Sequence, residues 1–227
     1  EHERAAPQEV VRAILRLRVD LLWNGGIGTY IKASDESHGE IGDRANDAVR
    51  INGAELRARV LGEGGNLGCS QRGRIEYAQS GGRINTDFVD NSAGVNTSDI
   101  EVNLKIMLAG KLGGPVPTGK RRRALLASVT DEVAAQVLRN NYLQSQAIST
   151  LEAQATRRMA ELQYLIRSME RSGELDRALE YLPDDESIAE RRKQGLGFTR
   201  PELAVLLAYS KISLNNQLLD SDVPEDS

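Results

Sequence analysis

The stretch RARVLGEGGNLG, Arg57 to Gly68, most constrains what this chain can fold into. A short apolar run meets a burst of glycines, and a helix-like segment, SQRGRIEYAQS, follows at once. Strand, glycine turn and helix in that order are how α/β proteins build a ligand crevice at the carboxyl end of a parallel sheet. The turn could hold a phosphate, another part of a cofactor, or nothing. Read as G-x-G-x-x-G from Gly62, the third glycine position is Leu67, so the dinucleotide fingerprint fails here.

Other strand signals lie on either side. Val10, Val11, Ile14, Leu15 and Leu17 recur at helical spacing, so the chain is expected to open in mid-helix, without an initiator methionine, as a piece of something longer. Val19, Leu21 and Leu22 predict a short buried strand that stops at the glycine turn WNGGIGTY. SHGEIGDRANDAVRI reads as part loop and part helix, and Asn52-Gly53 as a turn. Arg59 to Leu61 and Ile84 to Phe88 are the second and third strand candidates. Asp90 to Ala109 reads as a turn entering a helix. Alternating strands and helices imply an α/β fold with a parallel sheet and crossover helices. Three strands make a poor doubly wound sheet, so further strands are expected upstream.

After the linker GKLGGPVPTGK the pattern becomes helical. Leu125, Val129, Val133 and Val137 share one helical face, as do Ala155, Met159, Leu162, Ile166 and Met169. Thr199-Arg200-Pro201-Glu202 has the form of a capping box, and LAVLLAYSKI after it predicts a buried helix. The expected organisation is an incomplete Rossmann-like sheet in residues 1–110 and an α-helical domain in 111–227.

Several signals carry little chemistry. GPVPTGKR nearly matches a phosphate loop, but Pro115 and Pro117 lack backbone N–H groups, and Arg121 stands where a magnesium-binding hydroxyl is required. KRRR, Lys120 to Arg123, is an isolated basic run on a chain of net charge −4, without nearby aromatics, and predicts a solvated helix start rather than a nucleic-acid surface. His2 and His38 are too few and too far apart for a histidine metal site. Cys69, the only cysteine, excludes an internal disulfide framework, fits a reducing compartment such as the cytoplasm, and reads as a small filler. No apolar run approaches the roughly 20 residues that span a bilayer. Neither membrane nor nucleic acid is expected as a partner.

Two asparagines stand out. Asn66 lies on the glycine turn and Asn91 in DNSAGV, each just beyond a predicted strand. Carboxamides both donate and accept, which suits a neutral amide or a ribose hydroxyl better than a phosphate. The plainer alternative is that both asparagines tolerate left-handed turn backbone.

The segments VLGEGGN and GGRINTDFVDNSAGVNTSDIEVN resemble the EGAN and NAGGV-x-x-S segments of the glutamate dehydrogenase class of amino-acid dehydrogenases. DLLWNGGIGTYIKAS, GDRANDAVRING, NNYLQSQAIS and TRPELAVLLAYSKI are similar to the very large bacterial NAD-specific members, and the likeness runs from Val19 to Leu214. The resemblance implies oxidation of L-glutamate to 2-oxoglutarate and ammonia with NAD. It implies that Gly64, Gly65 and Asn66 face the nicotinamide end, Asn66 at its ribose. It implies that Asn91 lies against both the nicotinamide carboxamide and the substrate, and that Ser98 binds the substrate's side-chain carboxylate. EGGN for EGAN and NSAGV for NAGGV depart from the pattern but keep residues small. Nothing in the chain matches the class's catalytic lysine and aspartate or its phosphate-binding glycines, so no catalytic residue is assigned and the segment alone is expected to be inactive. The rest of the parent polypeptide and further copies in a homo-oligomer are the implied partners. A reading from another class makes the helical half an assembly or regulatory module with no ligand site of its own.

Overall fold

A computed structural model describes the backbone of residues 4–109 and 119–225. Most of these residues are helical. α1 (Pro7–Leu15) opens on Ala6 with a proline in its first turn, so the helix starts within the chain rather than before it. Strands β1 (Leu21–Asn24), β4 (Val60–Glu63) and β5 (Arg83–Ile84) form one parallel sheet in the order β1-β4-β5. These are the three strands anticipated from sequence. Two further strands, β2 (Ile31–Lys32) and β3 (Ile51–Asn52), pair in parallel as a separate ribbon. At two residues each they are too short to show a period. Between them lie the single turn α2 (His38–Ile41) and a 3-10 turn at Arg44–Asn46.

α3 (Gln71–Gln79) follows the glycine turn, with the Ser70 hydroxyl accepting the Gly73 N–H at 3.0 Å as its N-cap. It covers one face of the sheet. Ile31, Ile51, Leu61, Cys69, Tyr77 and Ile84 form the core there, and the Tyr77 hydroxyl donates to Ala58 O at 2.7 Å. The opposite face is bare: Leu21 and Trp23 of β1 are 56% and 57% exposed. The expectation of a buried first strand is therefore wrong for this chain. Among the described residues no helix buries Leu21 or Trp23, whereas a parallel strand reads as a continuous apolar run because it is normally buried on both faces.

The third strand is also shorter than expected. β5 ends at Ile84, and Phe88 lies in the helical turn α4 (Asp87–Asp90). The aspartates interrupt the apolar run. Asp87 and Asp90 send their carboxylates back toward backbone N–H groups of the glycine turn, a geometry that an extended Asn85–Phe88 segment does not offer. α5 (Ser92–Ala109) continues from α4.

The helical part consists of α6 (Gly119–Ser128), α7 (Thr130–Gln154), α8 (Met159–Ser172), α9 (Asp185–Lys193) and α10 (Arg200–Leu219). KRRR sits on the first turn of α6, largely in solvent, as expected of a solvated helix start. Residues 110–118, which hold most of the linker and of the near phosphate-loop pattern, lie outside the described residues, as does His2. The face anticipated from Leu125 to Val137 is split at Val129, where α6 gives way to α7, and only Val137 is fully buried. Ala155, Met159, Leu162, Ile166 and Met169 are all buried, although Ala155 caps α7 and the others belong to α8. They pack with Phe198 and Leu203 to Leu206 into the second core, each fully buried Leu or Ile contributing about 1.5–3 kcal/mol. α10 is buried only along its first turns; Ile212 and Leu214 are exposed. The expectation that LAVLLAYSKI is buried throughout fails, because among the described residues no element covers its far end. Val89 of α4 belongs to this second core, which fixes α4 between the sheet and the helices.

Candidate functional site

The loops after β1 and β4 leave the same end of the parallel sheet side by side. Asn24 O accepts the N–H groups of Gly64 and Gly65 at 2.8 and 3.2 Å. A Cβ on Gly65 would lie 2.2 Å from the Gly26 carbonyl oxygen, and one on Gly64 would lie 2.7 Å from the Trp23 indole. The smallness of both glycines is thus used by the protein's own first loop, which closes on the turn.

Asn66 and Asn91 meet. The Asn91 side-chain amide donates to Gly65 O at 3.1 Å and to the Asn66 side-chain oxygen. Neither asparagine is left-handed. Asn91 has φ −102°, and the only non-glycine residues with positive φ among those described are Leu67 and Tyr181. The turn's left-handed residue is Leu67, at φ +58°. The plainer explanation of the two asparagines therefore fails on geometry. Their hydrogen bonds leave Asn66 Nδ2 and Asn91 Oδ1 with no protein partner among the described residues.

Ser98 stands apart from the pair. It lies on α5, seven residues beyond Asn91, which is itself the non-helical cap of α4, and it is exposed. Its hydroxyl donates to Gly94 O at 3.2 Å. Beside Asn91 opens a cleft of about 640 Å³ between α5, α7 and α10, with Ser92, Asn96, Asn141, Gln144 and Lys211 on its walls. NNYLQSQ supplies the α7 carboxamides, and Lys211 Nζ donates to Gln144 Oε1 at 2.6 Å.

Behind the turn lies a buried ionic cluster that sequence reading did not find. Glu63 is fully buried, and Arg74 grips it with two prongs, Nε to Oε2 at 2.7 Å and Nη2 to Oε1 at 2.9 Å. Arg74 Nη2 also lies 3.3 Å from Asp87 Oδ1. Burial pushes the Glu63 carboxyl up from its ordinary range, against the pull of Arg74. Burial likewise raises Asp90, opposed by the Asn85 amide and the Glu63 N–H. For Arg74, burial works against the cation, but the facing Glu63 outweighs it and holds the guanidinium charged. A signal existed: acids at Glu63, Asp87 and Asp90 flank both asparagines, and two arginines, Arg72 and Arg74, lie on the intervening helix.

The remaining chemistry is slight. Burial raises the Cys69 thiol well above its ordinary value, which suits the filler role and not a nucleophile. Among the described residues no group of His, Cys, Asp and Glu could hold a metal ion, and no helix is long and apolar enough to cross a membrane.

Residues 1–151 match the family model for the bacterial NAD-glutamate dehydrogenase catalytic domain. The chain belongs to this glutamate dehydrogenase family. A second model, the glutamate dehydrogenase C-terminal region, matches residues 195–227. The chain is 54% identical over 224 residues to the NAD-specific glutamate dehydrogenase of Pseudomonas aeruginosa and 50% identical over 224 residues to that of Halomonas elongata. It is 47% identical over 220 residues to the Mycobacterium tuberculosis enzyme of the same name. These matches cover 97–99% of the chain but only 14% of each relative.

Proposed function

We propose that this chain is the nicotinamide-side section of an NAD-dependent glutamate dehydrogenase, which oxidatively deaminates L-glutamate to 2-oxoglutarate and ammonia. The names of the three relatives and the family assignment support the reaction. In this reading residues 1–110 complete a Rossmann-like dinucleotide domain begun elsewhere in the polypeptide, and 111–227 form its helical C-terminal domain. The protein would work in the cytoplasm as a homo-oligomer.

The observation that carries the reading is the Asn91–Asn66 contact at the carboxyl end of the sheet, where open α/β folds bind ligands. The pair presents one free N–H2 edge and one free carbonyl. That set complements a primary carboxamide, which offers the reverse. NAD, when bound, supplies the hydride acceptor. The chain's own part is to orient: Asn91 holds the carboxamide, and Asn66, whose side-chain oxygen accepts from Asn91, is read at the carboxamide with it rather than at the ribose, while the Gly64–Gly65 backbone, pinned on Asn24, sets how closely the turn approaches. In this reading Ser98 of α5 receives the substrate's distal carboxylate.

The test is calorimetric, on the full-length polypeptide containing this chain. Asn66→Ala and Asn91→Ala should each weaken NADH binding and leave ADP-ribose binding nearly unchanged, because ADP-ribose lacks the nicotinamide. Equal losses for both ligands would return the turn to a purely structural role.

A further inference from the structure

We propose that Asp87 is a positioning residue that fixes Asn66 against Asn91 in the register needed to hold one carboxamide. The inference rests on the nicotinamide reading above. α4 is a single turn that ends directly at Asn91, and both of its carboxylates reach back to the glycine turn. Asp87 Oδ2 accepts the Leu67 N–H at 2.7 Å, and Asp90 Oδ2 accepts the Glu63 N–H at 2.9 Å. The N–H groups on either side of Gly64, Gly65 and Asn66 are therefore anchored on the element that carries Asn91. Asn91 adds a third tie through Gly65 O at 3.1 Å.

The oxygens of Asp87 divide this work. Oδ2 holds Leu67, while Oδ1 faces Arg74 Nη2 at 3.3 Å and accepts the Phe88 N–H at 2.9 Å. Arg74 in turn is forked onto Glu63, at the end of β4. A carboxylate so held has one direction left in which to point. Leu67 is what it points at, and Leu67 is an odd occupant of left-handed backbone: an aliphatic residue, 64% exposed. Burial of its side chain does not account for that conformation. Its backbone is held from both sides, by the charge-assisted bond from its N–H to Asp87 and by the Thr29 hydroxyl donating to its carbonyl at 2.8 Å, and the consequence is local, since the residue before it is Asn66. Asn66 is itself exposed and has no packing to orient it. Its direction is set by its neighbour's backbone and by Asn91.

The experiment measures NADH and ADP-ribose binding to full-length protein carrying Asp87→Asn, which keeps size but loses the charge shared between Leu67 and Arg74. We expect NADH binding about tenfold weaker, as for loss of one charge-assisted hydrogen bond, with ADP-ribose within about twofold. Equal losses for both ligands, or unchanged NADH binding, overturn the positioning role. Asn66→Ala and Asn91→Ala, run alongside, separate the two failures. If they discriminate between the ligands and Asp87→Asn does not, the positioning role falls and the cofactor reading stands; if they do not, the cofactor reading itself falls. Should Asp87→Asn not fold, Arg74→Lys decides. It keeps a cation on Glu63 but loses the fork that reaches Asp87, and it should weaken NADH alone, by about threefold. No selective loss in that variant overturns the proposal.

Discussion

Arg191 holds Glu202 by both carboxylate oxygens, Nη1 to Oε2 at 2.8 Å and Nη2 to Oε1 at 2.9 Å. Glu202 is fully buried and also accepts the Thr199 N–H at 2.6 Å and the Thr199 hydroxyl at 2.8 Å. One side chain thus caps α10, ties it to α9 and seals the second core. Removing one member of such a pair strands a buried charge, which costs about 3–5 kcal/mol. Arg191→Ala should lower the urea midpoint accordingly. Arg191→Ala with Glu202→Ala should cost less than the two single changes summed, because no charge is then left unpaired. Strict additivity would show that the pair is not coupled.

Gly65 and Gly26 face each other but are not equally replaceable. A Cβ on Gly65 would meet the Gly26 carbonyl at 2.2 Å, backbone against backbone, whereas one on Gly26 meets nothing within 4 Å. Gly65→Ala should destabilise by about 1–3 kcal/mol through forced displacement of the two loops. Gly26→Ala should stay within about 0.5 kcal/mol of the parent. Thermal unfolding of both variants checks the asymmetry; equal effects would mean that the loops do not close on each other.

The contrast between those glycines shows where sequence reasoning stopped. The parallel sheet was legible because three apolar runs each ended in turn residues, and the asparagines because each followed such a run. The capping box was legible from Thr199 and Glu202 three residues apart. Arg191 as the partner of Glu202 was not, since it lies eleven residues away on another helix. The link from Glu63 to Arg74 and Asp87 was illegible for the same reason: ion pairs across elements leave no period. Phe88 was misread because β and helical turns share short apolar runs, and the aspartates that decide between them act through tertiary hydrogen bonds. Exposure of Leu21, Trp23 and Ile212 was beyond sequence as well. Apolar pattern says which residues want cover, not whether this chain supplies it.

Asp185 gives a pH dependence with a definite sign. Hydrogen bonds from Arg167, then Gln163 and Arg177, hold its carboxyl well below its ordinary value of 3.8. The ionised form is the one stabilised in the fold. The contribution is therefore complete above about pH 3.8 in the terms of the unfolded side chain and is lost as pH falls below it. Asp185→Asn should unfold more easily at neutral pH and lose part of the parent's further destabilisation between about pH 4 and pH 2. An unchanged acid midpoint relative to pH 7 would mean that other carboxylates carry the transition.

The isolated chain should produce no NADH from L-glutamate and NAD. No residue of the chain matches the lysine and aspartate of the glutamate dehydrogenase class, and hydride transfer needs a group to take the amine proton. Turnover above background that disappears in Asn91→Ala would refute this and assign chemistry to groups present here.

Ser98 offers the cleanest test of substrate placement. Its hydroxyl is exposed and makes one bond, to Gly94 O at 3.2 Å within its own helix, so Ser98→Ala should leave stability unchanged within about 0.5 kcal/mol. Any effect on kinetics is then not a folding effect. If the serine receives the distal carboxylate of glutamate, the bond is present in ground and transition states alike, because that carboxylate is remote from the carbon that loses hydride. Its loss should raise the glutamate KM by about tenfold and spare kcat, as expected for uniform binding. A kcat that falls with KM unchanged would place Ser98 near the reacting atoms instead. No kinetic change would mean that Ser98 does not reach the substrate, and that the cleft beside Asn141 and Gln144 is the place to look next.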